Sequence, residues 1–153
     1  MITAEDILKE KGDEIISVAP DCTLHDALKV MLSKRIGAIL VKQGESLIGI
    51  WTERDLMRNS VNEEFNPSKA KVEDFMSKGL MSAQYSDSIY NLMDKFLGKR
   101  LRHLLIEKNG KYIGFLSAGD VTKALLVEKT QELEKLNKLV NMDYYENWRW
   151  KNK

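Results

Sequence analysis

The segment Gly49–Asp55, GIWTERD, is answered later in the chain by Gly114–Asp120, GFLSAGD. In each, a glycine leads two apolar residues, a hydroxyl residue follows, and an aspartate comes three places on, so that Thr52 and Asp55 match Ser117 and Asp120. An apolar run closed by Ser or Thr with an acid three residues later reads as a strand running straight into a helix. Taken singly, such a pair is a capping box, in which each side chain satisfies a backbone amide of the other residue. A strand end feeding a helix also offers amide donors and a positive dipole end to a phosphate, while a nearby carboxylate can accept from two ribose hydroxyls. Recurrence in register favours this second use.

Working outward, one ungapped shift of 65 positions aligns Thr23 with Ser88, Leu24 with Ile89, Leu28 with Met93 and the two quoted segments with each other. Before the first junction, Ile15–Val18 reads as a short strand ended by Pro20, and Thr23 opens a helix with Ala27, Leu28, Met31 and Leu32 on one face, ended by Lys34, Arg35 and Gly37. Ala38–Val41 and Leu47–Trp51 form a hairpin, and Thr52 starts the next helix. A polar stretch from Asn59 to Pro67 links to the second copy. There Glu73–Met76 is a short helical lead, Leu80–Ala83 a strand, Ser88–Leu97 a helix, and His103–Ile106 and Tyr112–Leu116 a hairpin around Asn109 and Gly110. Thr3–Lys11 leads the first copy as a capped helix; Thr3 with Asp6, and Thr23 with Asp26, fit the capping box fully. One unit alone is too small to bury both faces of its sheet, so the two should pack about a pseudo-twofold axis. The reading is an α+β fold: residues 1–62 a first repeat with its leading helix, 63–127 a second repeat, and 128–153 a helical extension and tail.

From Val121 to Val140 there is no glycine or proline, and Leu126, Leu133, Leu136 and Val140 lie close to a heptad seam, so the last helix outruns its repeat. The tail from Tyr144, YYENWRWKNK, mixes aromatic and basic residues and is assigned to covering a subunit partner or the domain itself, ahead of a membrane surface or nucleic acid.

At 153 residues, 43% hydrophobic and 31% charged with a net charge of +1, the chain has the composition of a soluble globular protein and no global field for nucleic acid. No apolar run approaches the ~20 residues of a transmembrane helix, and the polar, acidic start lacks a secretory pattern, which predicts a cytoplasmic protein. The single Cys22 has no internal disulfide partner and agrees with a reducing compartment. It sits near a helix start, where a thiolate would be favoured, although a plain packing or surface role is the simpler expectation. Two histidines, His25 and His103, and no Walker loop leave no nucleophile and base set and no metal cluster, so neither a catalytic residue nor a metal ligand is predicted. Gly37 and Ala38, small residues at a strand start, leave room for a flat base, and Arg54, Arg102 and His103 can supply charge or hydrogen bonds.

The segments IISVAPDCTLHDALKVMLSKRIGAILVKQGESLIGIWTERDLMR and LMSAQYSDSIYNLMDKFLGKRLRHLLIEKNGKYIGFLSAGDVTKALL resemble the two halves of a tandem CBS-domain pair, a Bateman module, over about residues 3 to 127. The resemblance implies a pseudo-symmetric pair with two clefts for adenosine-containing ligands: AMP, ADP, ATP or S-adenosylmethionine. It implies that Asp55 and Asp120 hold ribose hydroxyls and that Thr52 and Ser117 contact phosphate or sugar. Gly37 with Ala38, and Arg102 with His103, would line the start of each cleft, with Ile16 and Met81 against the base. Three departures stand out: Leu40 and Leu105 replace a proline common in the family, Ala118 and Gly119 replace the pair Glu53 and Arg54, and Trp51 is bulky enough to wall off or reshape the first cleft. The two sites are therefore expected to differ, with Ser117 and Asp120 favoured because they adjoin the long helix. The functional expectation is a free-standing, non-enzymatic nucleotide sensor acting as a homodimer on a separate partner. The alternative is a ligand-free structural or protein-interaction module.

Overall fold

The computed structural model describes residues 1–151, with side chains as far as Val140. Its elements follow the expected order of strand, helix, strand, strand, helix, twice. In the first unit β1 (Ser17–Val18) pairs parallel with β2 (Ala38–Gln43), which pairs antiparallel with β3 (Ser46–Thr52); α2 (Leu24–Lys34) makes the crossover and α3 (Glu53–Asn59) leaves the sheet. In the second, β4 (Ser82–Gln84) pairs parallel with β5 (His103–Lys108) and β5 antiparallel with β6 (Lys111–Ser117), with α5 (Ile89–Gly98) as the crossover and α6 (Ala118–Lys151) as the exit. The repeat extends to irregularities, since a register shift falls between Val41 and Lys42 and again between Ile106 and Glu107. Asn109 and Gly110, both at positive φ, close the second hairpin with the backbone that a two-residue turn between twisted strands demands.

Each unit's leading helix packs on the other unit. The helix α1 (Ala4–Lys11) buries Ala4, Ile7 and Leu8 among Ala83, Ile89, Leu92, Leu104 and Leu116 of the second unit. Reciprocally, α4 (Val72–Phe75) buries Val72 among Leu24, Ile39, Val41 and Trp51 of the first. Backbone bonds repeat the exchange: Ile89 N–H donates to the Ile2 carbonyl and Leu24 N–H to Ala70, both at 2.9 Å. The recurring glycines of the two quoted segments follow from this exchange. A Cβ at Gly49 would run into the Met76 side chain and one at Gly114 into Leu8, so each sheet is bare where the lead from the other repeat lies against it.

Trp51 departs from expectation. Its indole is fully buried in the first unit's core and its Nε1 donates to Asn59 Oδ1 at 3.1 Å, so it does not wall off a cleft. Strand alternation is the reason, because Ile50 and Thr52 take the opposite face. A second correction concerns Thr23: its hydroxyl accepts from the Asp26 N–H, but the box is half closed, with the Asp26 carboxylate near Lys29 instead. Burial, with Asp26 and Asp21 nearby, pushes the Cys22 thiol up, which removes the thiolate advantage of a helix start. The helix α6 continues far past the second sheet, and Leu126, Leu133, Leu136, Leu139 and Val140 are exposed along it. The assignment of the aromatic and basic tail lies outside the described side chains. None of the helices described is long and apolar enough to cross a membrane.

Candidate nucleotide clefts

Both junction boxes close as their spacing requires. Thr52 N–H donates to Asp55 Oδ2 at 3.0 Å and Asp55 N–H to Thr52 Oγ1 at 3.2 Å; Ser117 N–H donates to Asp120 Oδ2 at 2.8 Å and Asp120 N–H to Ser117 Oγ at 3.1 Å. A further first-turn amide is spent on the residue just before the neighbouring strand, Glu53 N–H on the Gly37 carbonyl and Ala118 N–H on that of Arg102. Three of the four first-turn donors at each junction are thus already taken. The amide cradle expected there for a phosphate is largely closed, and an anion must be held by side chains.

The two units contribute to the clefts crosswise. The first, about 230 Å³, joins Thr52, Arg54 and Asp55 of one unit to Met81, Arg102 and His103 of the other. The second, about 340 Å³, joins Ser117 and Asp120 to Ile16, Gly37 and Ala38. All eleven residues singled out from the sequence therefore line one cleft or the other. A larger groove of about 680 Å³ lies between the hairpin turns, at Ser46 and Gly110, and contains neither box.

His103 and Phe115 line both clefts and stack nearly parallel, with ring centroids 5.3 Å apart, so that one aromatic pair is the partition between them. The repeat places Ala38 and Ile50 at the equivalent positions, which is one source of the inequality of the clefts. Burial holds the His103 imidazole below the ordinary histidine range, with the positive charges of Lys11 and Arg102 adding to it; the ring is neutral at physiological pH. It can stack on a base and exchange a hydrogen bond without adding charge.

The carboxylates differ more. Asp120 Oδ2 accepts from Lys11 Nζ at 2.6 Å as well as from Ser117, and Lys11 also donates to the Phe115 carbonyl at 2.9 Å. Burial alone would raise the Asp120 carboxyl, but these hydrogen bonds and the Lys11 charge outweigh it and hold it below the usual range. Asp55 has a looser cation, Arg58 at 3.8 Å with most of its side chain in solvent. Lys11, Lys34, Arg35, Arg58 and Arg100 line the clefts yet were not read from the sequence. For Arg35 and Arg100 a signal existed, since they coincide under the shift that aligns the repeats. Among the described residues no group of acids, cysteines and histidines is placed to hold a metal.

The CBS domain model matches residues 4–62 and 72–127. The mitochondrial CBS domain-containing protein CBSX3 of Arabidopsis thaliana is 32% identical over 151 residues, which is 93% of this chain and 73% of that protein. A putative signal-transduction protein with CBS domains from Burkholderia ambifaria superposes with a TM-score of 0.78 at 35% identity, covering 82% of this chain and 95% of that one. CBSX2, solved in complex with AMP, shares the fold at a TM-score of 0.68 and 22% identity, over 84% of this chain and 99% of its own.

Proposed function

Because this chain belongs to the CBS domain family and carries two of its units in tandem, we propose that it is a regulatory adenosine-ligand sensor without catalytic activity of its own. It binds AMP, ADP, ATP or S-adenosylmethionine in the clefts between the repeats. Asp55 and Asp120 take the ribose, Thr52 and Ser117 sugar or phosphate, and Met81 and Ile16 the base. The observation that carries this reading is the crosswise cleft: a ligand touching Asp55 and Met81 touches both repeats, so occupancy changes their relation. The AMP complex of CBSX2, a protein of the same fold, supports it. The Asp55 cleft has the stronger claim, because Asp120 is already engaged by Lys11.

The signal leaves through α6, whose first turn contains Asp120, and reaches a separate partner. A homodimer through the exposed leucine row of α6 is part of this reading, as is a cytoplasmic location. Cell fractionation decides the location, since the Arabidopsis relative is mitochondrial by name. The decisive experiment is calorimetry and thermal shift against AMP, ADP, ATP and S-adenosylmethionine, repeated on Asp55→Ala and Asp120→Ala. Binding that needs Asp55 and falls with 2′-deoxy ligands is expected. A parent protein that responds to none of the four would favour a ligand-free interaction module, a reading to which the closed boxes and the Lys11 contact otherwise lend weight.

A further inference from the structure

The two crossover helices end alike. At α2 the Arg35 N–H donates to the Leu32 carbonyl and the Ile36 N–H to Met31; at α5 the Arg100 N–H donates to Leu97 and the Leu101 N–H to Phe96. This is the Schellman closure, whose residue beyond the cap is left-handed and is most often glycine, because a Cβ there crowds the following carbonyl. Here it is arginine both times, at φ 55° and 52°, at positions that the repeat makes equivalent. Gly37 and Gly98 lie within two residues of these positions, yet neither occupies them.

What the strained positions have in common is a cleft. Arg100 lines the Asp55 cleft and Arg35 the Asp120 cleft. In the Asp55 cleft Arg100 joins Arg54, Arg58 and Arg102 against the single carboxylate of Asp55. The Asp120 cleft sets Lys11, Lys34 and Arg35 against Asp120 and Glu14, and Lys11 is spent on Asp120. Surplus positive charge therefore collects around Asp55, at a junction whose helix amides are mostly taken. Guanidinium groups suit phosphate oxygens, which they hold through paired N–H donors, and their number there opposes a cationic sulfonium.

We propose that the Asp55 cleft takes a nucleoside di- or triphosphate, and that Arg100 accepts a left-handed backbone because that position sets its guanidinium on the cleft wall to hold the phosphate chain. The proposal rests on the adenosine reading and adds to it the number of phosphates and a binding residue. Arg35, the same device in a cleft with less free charge, has the smaller effect on a polyphosphate.

Calorimetry of the full chain with ATP, AMP, adenosine and inorganic tripolyphosphate, on the parent, Arg100→Gly, Arg100→Asn and Arg35→Gly, tests it. Both Arg100 variants should weaken ATP and tripolyphosphate by about tenfold or more and leave adenosine within about twofold. Their Tm should be unchanged or higher by about 2 °C, since glycine and asparagine tolerate this backbone. Arg35→Gly should weaken ATP less than either Arg100 variant does, and an equal or larger loss would overturn the assignment of the phosphate chain to the Asp55 cleft. Arg100 variants that bind ATP like the parent, that lose adenosine as strongly as ATP, or that lose affinity together with Tm would overturn the role of Arg100 and leave the adenosine reading standing. A parent that binds no adenine compound, but binds tripolyphosphate in an Arg100-dependent way, would sink the adenosine reading and keep the anion site. Binding of neither class overturns both.

Discussion

Lys11 Nζ lies 2.6 Å from Asp120 Oδ2, tying the last residue of α1 to the first turn of α6 across 109 positions of sequence. Both side chains are partly solvated, at 38% and 27% exposure, so the pair is worth less than a buried one. Lys11→Met should cost about 0.5–1 kcal/mol, read as a fall in Tm of about 2 °C. Because the lysine helps hold the Asp120 carboxyl below its ordinary value, the same substitution should raise that titration, followed by carboxyl carbon NMR. An Asp120 titration that does not move would dismiss the pair as incidental.

His103 is expected to set an acid limit on stability. Its folded-state titration lies below the ordinary value, chiefly through burial, so the unfolded chain takes up the proton first as pH falls. Stability is full above the ordinary histidine value of about 6.5 and declines below it until the folded state also protonates. Asp120, likewise depressed, adds a loss at lower pH, as the solution falls through its folded value. In a Tm series from about pH 7 to 5, His103→Gln should flatten the slope. A slope equal to the parent's would show that the ring does not carry it.

The glycines of the repeated segment should resist a single methyl group. Gly114→Ala sets a Cβ against Leu8, and Gly49→Ala sets one against Met76. Each should cost about 1–3 kcal/mol by denaturant unfolding. Leu8→Ala is itself destabilising, yet with Gly114→Ala the two costs should add to less than their sum, because the second substitution vacates the space the first one needs. Strict additivity would count against the contact.

Trp51→Phe separates core from cleft. The loss of volume and of the Asn59 bond should lower stability by about 1–3 kcal/mol. Affinity for any adenine nucleotide should stay within about twofold, since a conservative change on the core face leaves the lining in place. A large loss of affinity with the fold intact would return Trp51 to the site.

The α6 row offers the test of assembly. Leu133 and Leu136 are 60% and 56% exposed, and the double substitution Leu133→Glu with Leu136→Glu should convert a dimer to a monomer in sedimentation while leaving the Tm of the two-repeat body within about 2 °C. A parent that sediments as a monomer would remove the dimer from the proposal.

The repeat was legible because its signals are local. Caps, apolar runs and turn residues recur at fixed spacing, so strand, helix, strand, strand, helix could be read twice and eleven residues collected that line the clefts, while Lys11, Lys34, Arg35, Arg58 and Arg100 were missed. What sequence could not supply was the partnering. Nothing in Asp55 says that it faces Met81 and not Ile16, and nothing in Lys11 points to Asp120. Trp51 was misread through neglect of a local rule: in a strand that places Ile50 and Thr52 on one face, the residue between them takes the other. The half-closed box at Thr23 shows the reverse limit, a correct pattern whose second bond the Asp26 side chain forgoes.

The exchange of leading helices also bears on synthesis. As the chain leaves the ribosome, the sheet holding Trp51 is complete by Thr52, but the residues that seal it, Val72 and Met76, have yet to be made. Meanwhile Ile7 and Leu8, already out, have no surface to cover until the strands up to Leu116 arrive. The first repeat therefore waits on the second, and the second on the helix that precedes the first. Neither half should therefore fold by itself, and residues 1–62 and 63–153 expressed separately are expected to expose two open cores in place of two small proteins.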